Sequence, residues 1–247
     1  MKAFVGSGLA ALALMLTGCG DEKGGAGNAS GGGNAPLSQI KAPSGDWTQT
    51  ITQTPEGGFL MGNPAAPVKV VEFASLTCGV CGAFAAEGEP KLVENYVKSG
   101  QVSFEIRNFV RDSADLAAAL IARCNGPSAF FPLNDQLFAA QAEWLGKLSS
   151  MSPEEQQQLQ GMAPGQTAVV LAQKAGLDEF ARVRGIPAAK VQACLADQAE
   201  VKRLVDMNER AVKDHKVQGT PSFLVNGELV DGASWAALEP EIRKALP

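Results

Sequence analysis

The sequence predicts an α/β fold in which a long all-helical segment interrupts a sheet. Three observations predict it. A valine-rich run, PVKVVEFAS at 67–75, leads straight into a helical pattern. A second, alternating run, QVSFEIRNF at 101–109, follows that helix. After about a hundred helix-patterned residues, strand signals return at 222–230. The chain has 247 residues, 45% hydrophobic and 19% charged, enough apolar material for one large domain or two small ones. Its formal net charge of −5, with no run of Lys or Arg, offers no footprint for nucleic acid or anionic lipid.

At the N-terminus, Lys2 precedes an apolar run from Ala3 to Leu16 that is too short to span a bilayer comfortably but fits a signal h-region. The run ends in Leu16-Thr17-Gly18-Cys19, which resembles the lipobox of bacterial lipoproteins. That resemblance implies cleavage before Cys19 and acylation of its new N-terminus; the alternatives are a signal cleaved elsewhere or an uncleaved anchor. Residues 1–18 are therefore read as a signal peptide and 19–46 as a lipid-anchored tether, since DEKGGAGNASGGGNAP has too little apolar surface to fold. Such a tether spans roughly 25 to 30 Å as a coil. Folded sequence is expected from near Trp47.

The first strand, ending at Ser75, follows the turn signal Gly62-Asn63-Pro64. The next helix places Leu92, Val93, Tyr96 and Val97 on one face and stops at Gly100; Pro90, inside it, is expected to kink it. In the strand at 101–109, Val102, Phe104 and Ile106 alternate. In the helical segment, Leu116, Leu120 and Cys124 share a face, and Ser152-Pro153-Glu154-Glu155 reads as a capping box. Further apolar periodicity covers 130–145 and 168–175 and includes Val191, Cys194 and Leu195. The last strands, Ser222–Val225 and Glu228–Val230, flank an Asn226-Gly227 hairpin turn, and Trp235, Leu238, Ile242 and Leu246 mark a final helix. The resulting division is 47–112 and 198–247 for the two parts of the sheet domain, with 113–197 as the helical insertion.

Five cysteines need an assignment: Cys19, Cys78, Cys81, Cys124 and Cys194. Lipidation of Cys19 leaves four. Of the three possible connectivities, Cys78–Cys81 with Cys124–Cys194 uses the close pair locally. Cys78-Gly79-Val80-Cys81 could be a redox pair, half of a metal site or a structural bridge. A zinc site needs two more ligands, and the chain has a single histidine, His215, and no second C-x-x-C. A structural bridge closing so short a loop would constrain the unfolded chain little. The pair opens a helix, where i and i+3 lie within disulfide reach and the unpaired N–H groups favour a thiolate at Cys78. Redox chemistry fits best, and no cofactor or metal is required for it.

Strand, C-x-x-C helix, strand, helical insertion, then Gly219-Thr220-Pro221 entering a hairpin and a last helix: this order resembles the DsbA-like branch of the thioredoxin superfamily. The match rests on VVEFASLTCGVC and VQGTPSFLVNG and covers nearly all of 58–247. It implies a thioredoxin fold with an inserted all-helical domain. It further implies that Cys78 is the exposed nucleophile, Cys81 the buried resolving thiol, Pro221 a cis-proline facing them, and Thr220 a backbone contact for extended substrate. Glu72 resembles the family's acidic group beneath the site, which relays a proton to or from Cys81. The departure is Val80, where DsbA-type oxidants commonly carry a thiolate-stabilising histidine; His215 is not expected to substitute for it.

The resemblance implies a thiol-disulfide oxidoreductase that acts on exported proteins with cysteines, at the periplasmic face of a membrane to which its lipid anchors it. As a disulfide donor it would be re-oxidised by a DsbB-like, quinone-linked membrane partner. The alternatives are a reductase or isomerase fed by a membrane thiol donor, and a non-catalytic lipoprotein that binds peptide or protein.

Overall fold

The computed structural model describes residues 37–247; the h-region, the LTGC motif and Cys19 lie outside the described residues. Valine and phenylalanine in alternation build the centre of the sheet. Strand β3 (Val68–Ala74) runs parallel to β4 (Val102–Asn108) and antiparallel to β5 (Ser222–Val225). Outside them lie β1 (Ile51–Gln53) and β2 (Phe59–Gly62) on one flank and β6 (Glu228–Leu229) on the other, in the order β1-β2-β4-β3-β5-β6. The β5–β6 turn is the expected one: Asn226 and Gly227 both take positive φ, 50° and 90°, which matches the twist of the strands.

Alternation along β3 sends two sets of side chains to two faces. Val68, Val70 and Ala74 join the main core with Phe104, Ile106 and Phe223. Val71 and Phe73 join a smaller cluster with Leu224, Ala211 and Val217. Glu72 has the parity of the main-core set, so a carboxyl enters an apolar layer.

On the main-core face the chain enters helix α1 (Gly79–Glu87) and then α2 (Glu89–Asn95). The single kinked helix expected over this stretch is instead two helices. The break falls at Gly88, where an added Cβ would come within 2.5 Å of the Phe84 ring, and Pro90 occupies the first turn of α2, where its missing N–H costs nothing. Helix α3 (Ser113–Arg123) begins the insertion and is buried along nearly its whole length. Helices α4 (Pro127–Ala139), α5 (Gln141–Ser149), α6 (Pro153–Gln158), α7 (Pro164–Ala175), α8 (Leu177–Arg182) and α9 (Ala188–Leu195) follow. The capping box at Ser152 forms with both arms, Glu155 N–H to Ser152 Oγ at 3.2 Å and Ser152 N–H to Glu155 Oε2 at 2.9 Å. Helix α10 (Gln198–His215) returns the chain to the sheet, and α11 (Trp235–Ala245) closes it.

Ordered packing begins earlier than Trp47, so the stretch expected as tether through residue 46 is in part folded. Ile40 N–H donates to Ser99 O (2.8 Å), Gln101 Nε2 to Ser38 O (3.1 Å), and Trp47 Nε1 to Ile40 O (2.7 Å). The buried indole needs a partner for its N–H, and the backbone before it supplies one. Among the described residues no helix is long and apolar enough to cross a membrane.

Candidate active site

A β-strand that ends at Ala74 and a helix that begins at Gly79 leave four residues, 75–78, to turn the chain. Cys78 is the N-cap of α1, with extended backbone (φ −91°, ψ 118°) and no side-chain cap. Its carbonyl accepts the first helical bond, from Gly82 N–H (3.1 Å), while the N–H groups of the first turn have no helical partners. The Val80 and Cys81 N–H groups turn to the Cys78 sulfur instead. Cys81 lies one turn further along α1 and is wholly buried, and both residues are free thiols.

The turn is held from the insertion. Asp115 on α3 accepts from Ser75 Oγ (2.6 Å), Leu76 N–H (2.8 Å) and Arg111 N–H (3.0 Å). Burial nevertheless raises its carboxyl to about 6, against the pull of those three bonds. Gln141, the first residue of α5, donates its side-chain amide to both Leu76 O (2.8 Å) and Cys78 O (3.0 Å).

Opposite the thiols stands the loop entering β5, with a cis Thr220–Pro221 bond. Cys78 Sγ donates to Thr220 O at 3.2 Å. The resemblance implied an exposed Cys78, but the residue is only 6% exposed, because this loop lies over its sulfur. Val80, by contrast, is 53% exposed and presents an apolar side chain beside the thiols.

The environment drives the two thiols apart. For Cys78, burial acts to raise the pKa, but the Thr220 side chain, the Cys81 backbone and side chain and the Val80 N–H outweigh it, so the net shift is downward. The Thr220 hydroxyl is buried and has no conventional partner of its own, which leaves its proton available to the thiolate. For Cys81, burial and then the neighbouring Glu72 carboxyl push the pKa far above the ordinary thiol value. The two sulfurs thus differ in how tightly they hold a proton, Cys78 releasing it the more readily.

Glu72 is 2% exposed and sits on β3 between Ile106 of β4 and Phe223 of β5. That apolar setting raises its carboxyl to about 8, with the Cys78 and Asp135 charges adding to the effect. Glu89, at the start of α2 and 5% exposed, is a second buried acid on the same side; burial first, then Asp135 and Glu72, raise its pKa well above the usual carboxylate range. Glu72 and Cys81 are thus two neighbouring buried groups that both hold their protons more tightly than they would in water.

His215 lies elsewhere. It closes α10 and packs against Phe73, ring centroids 5.6 Å apart, on the smaller-core face of the sheet. Cys124, at the C-terminus of α3, is bonded to Cys194 of α9, with Cα atoms 5.5 Å apart. Among the described residues no cluster of three or more His, Cys, Asp or Glu side chains could hold a metal ion. The sequence reading therefore brings together Glu72, Cys78, Cys81, Thr220 and Pro221, and places Cys124 and Cys194 apart as a bridge within the insertion. It missed Gln141, Asp115 and Glu89. Asp115 had only the ordinary look of an acid in the first turn of a helix, and Gln141 sat unmarked in a helical run.

The chain is similar to known proteins in sequence and in fold. The sequence profile of the family described as thioredoxin matches residues 54–243. The fold is similar to the crystal structure of a protein-disulfide isomerase from Novosphingobium aromaticivorans, with a TM-score of 0.71 and 35% identity over 75% of this chain and 95% of that one. It is also similar in fold to Wolbachia pipientis alpha-DsbA1, with a TM-score of 0.61 and 22% identity over 75% of this chain and 89% of that one. In sequence it is 25% identical over 192 residues to a Rickettsia bellii protein named as a protein-disulfide oxidoreductase, covering 77% of this chain. The chain spans 65% of the length of that relative.

Proposed function

The chain belongs to the thioredoxin family, and from that premise we propose that it is a DsbA-like thiol-disulfide oxidoreductase that passes disulfides to exported proteins through Cys78 and Cys81. The observation that carries this reading is the opposed pair of thiols. Cys78, its sulfur against Thr220 O, is lowered in pKa at a helix N-terminus, and Cys81 is raised beside a buried acid.

In the donor direction the enzyme starts with a Cys78–Cys81 disulfide. A substrate thiolate attacks Cys78 Sγ, the S–S bond breaks, and Cys81 leaves as a thiolate that takes a proton from Glu72. The mixed disulfide then yields to a second substrate thiolate, which forms the substrate's own S–S bond and expels Cys78 as a thiolate. Two electrons have moved from substrate to enzyme. Re-oxidation by a DsbB-like, quinone-linked membrane partner would return them. Thr220 lends its backbone to an extended substrate segment, and the exposed Val80 gives that segment an apolar neighbour. The Leu16-Thr17-Gly18-Cys19 motif supports a lipid-anchored protein at the periplasmic side of the envelope, with Cys19 acylated.

Two observations favour a second reading, in which the protein runs as a reductase or isomerase supplied by a membrane thiol donor. The Val80 side chain has no hydrogen bond or charge to add to what its backbone N–H gives the Cys78 thiolate, and a stabilised reduced form is what makes a strong oxidant. The Novosphingobium structure, 35% identical, carries the name of a protein-disulfide isomerase. Acid quenching and thiol trapping in intact cells separate the two readings: a donor is recovered with Cys78 and Cys81 oxidised, a reductase with both as thiols.

A further inference from the structure

The turn that carries Cys78 is gripped by the helical insertion at both backbone atoms of Leu76. Asp115 takes its N–H (2.8 Å) and Gln141 takes its carbonyl (2.8 Å). The second hydrogen of the Gln141 amide reaches past Thr77 to the carbonyl of Cys78 itself (3.0 Å). Leu76 is 1% exposed, so without Gln141 its carbonyl would be left without a partner and out of reach of bulk water. The Cys78 carbonyl also accepts from Gly82 N–H (3.1 Å), so it belongs at once to the helix and to the insertion.

The seat for this amide is made on α1. A Cβ added at Gly82 would lie 3.1 Å from Gln141 Oε1 and 3.6 Å from its Cδ. A glycine in the second turn of a helix lowers helix propensity, and here its missing side chain is the space the Gln141 amide occupies. Any larger residue at 82 must move that amide by a few tenths of an ångström.

We propose that Gln141 is a positioning residue for the attacking thiol: by fixing the carbonyls of Leu76 and Cys78 with one amide group, it sets the tilt at which α1 presents its N-terminus to Cys78 Sγ, and Gly82 is kept small to admit it. A primary amide suits the task because it offers two hydrogens from one nitrogen, and two carbonyls two residues apart use both. The hydrogen given to the Cys78 carbonyl also offsets the negative end of that carbonyl, which lies in the same residue as the thiolate. The helical insertion thereby tunes the reactivity of a cysteine that belongs to the sheet domain. The proposal rests on the reading of Cys78 as the attacking sulfur.

The test is a double-mutant cycle on the full chain in a Cys81→Ala background, with Gln141→Ala, Gly82→Ala and both together. The readout is the pH dependence of iodoacetamide alkylation at Cys78, followed by mass of the Cys78 peptide, so that no other thiol contributes. Gln141→Ala should raise the Cys78 pKa by about half a unit, a roughly threefold loss of thiolate below the pKa. Gly82→Ala should raise it as well, even though alanine favours the helix, and should add nothing once Gln141 is gone. A Gln141→Ala protein that is less stable but titrates as before would reduce the residue to ordinary structure and overturn the proposal. So would a Gly82→Ala shift that persists undiminished without Gln141. If Gln141→Ala proves too unstable to titrate, Gly82→Ala decides alone: an unchanged pKa refutes it. Failure of Cys78 as the nucleophile would appear separately, as a missing mixed disulfide in Cys81→Ala itself.

Discussion

Replacing Glu72 by glutamine should stabilise the reduced protein at neutral pH and slow its chemistry. The carboxyl is buried between Ile106 and Phe223, and its pKa rises from 4.5 to about 8, first through burial and then through the Cys78 and Asp135 charges. The folded state thus holds this proton more tightly than the unfolded chain. Below pH 4.5 the carboxyl is protonated in both states and costs nothing. As pH climbs from there toward 8, the unfolded state ionises freely while the folded state resists, and stability is lost at ~1.4 kcal/mol per unit. At pH 7 the accumulated cost is about 3 kcal/mol, and above pH 8 it levels near about 5 kcal/mol. Glutamine fills the same space and cannot ionise. Urea unfolding of the reduced protein from pH 4 to 8.5 should give matching stabilities for wild type and Glu72→Gln at the acid end. The curves should then diverge by about 3 kcal/mol at pH 7, the variant being the more stable. Asp115 is also raised, so the wild-type curve falls for more than one reason, but it is common to the pair and cancels in the difference; Glu89, raised in part by the Glu72 charge, is relieved in the variant and adds to the divergence in the same direction. Parallel curves would refute the assignment of a proton to Glu72 at neutral pH. The kinetic counterpart is a slower release of Cys81 when the disulfide is attacked, since its proton source is gone.

Removing the Cys124–Cys194 bridge with two alanines should cost about 4 kcal/mol in urea unfolding, from the loop-closure entropy of its 70-residue separation, and leave thiol exchange largely intact. An unchanged midpoint would mean that the bridge does not constrain the unfolded chain. Val80→His should lower the Cys78 pKa and raise the reduction potential, measured against glutathione, because the imidazole adds the donor that valine lacks; an unmoved potential would show that position 80 does not govern it. The membrane-extracted protein should have an acylated Cys19 as its N-terminal residue by mass spectrometry, and an unmodified N-terminus elsewhere would remove the anchor from the account.

The elements that carry the chemistry were the most legible in the sequence, because their patterns are local. Val68–Ala74 is a valine-rich strand, Asn226-Gly227 dictates the β5–β6 hairpin, and the cysteines fall where a strand gives way to a helix. The β1–β2 hairpin was missed. Ile51-Thr52-Gln53 is only three residues long and half exposed, and its turn, in which Thr54 N–H bonds Gly58 O at 3.0 Å, was hidden in a polar stretch. The break at Gly88 was misplaced to Pro90 because the decisive contact, with the Phe84 ring, depends on where that ring packs in three dimensions. Gln141 and Asp115 left no signal for the same reason. They act on residues about 65 and 40 positions away, and nothing in their own neighbourhoods distinguishes them from ordinary helix residues. Glu72 lay between these cases: alternation placed it inward, and only the packed apolar neighbours explain how strongly its proton is held.

The central claim is that Cys78 alone exchanges disulfides with substrate and Cys81 resolves the product. The most direct measurement incubates reduced Cys81→Ala and Cys78→Ala proteins with a disulfide-containing peptide and maps the adducts by mass. The account predicts a mixed disulfide that accumulates on Cys78 in Cys81→Ala, where no resolving thiol remains, and little adduct in Cys78→Ala, whose remaining Cys81 is wholly buried with its pKa pushed far up. Adduct on Cys81 in the Cys78→Ala protein, with none on Cys78 in the other, would contradict it.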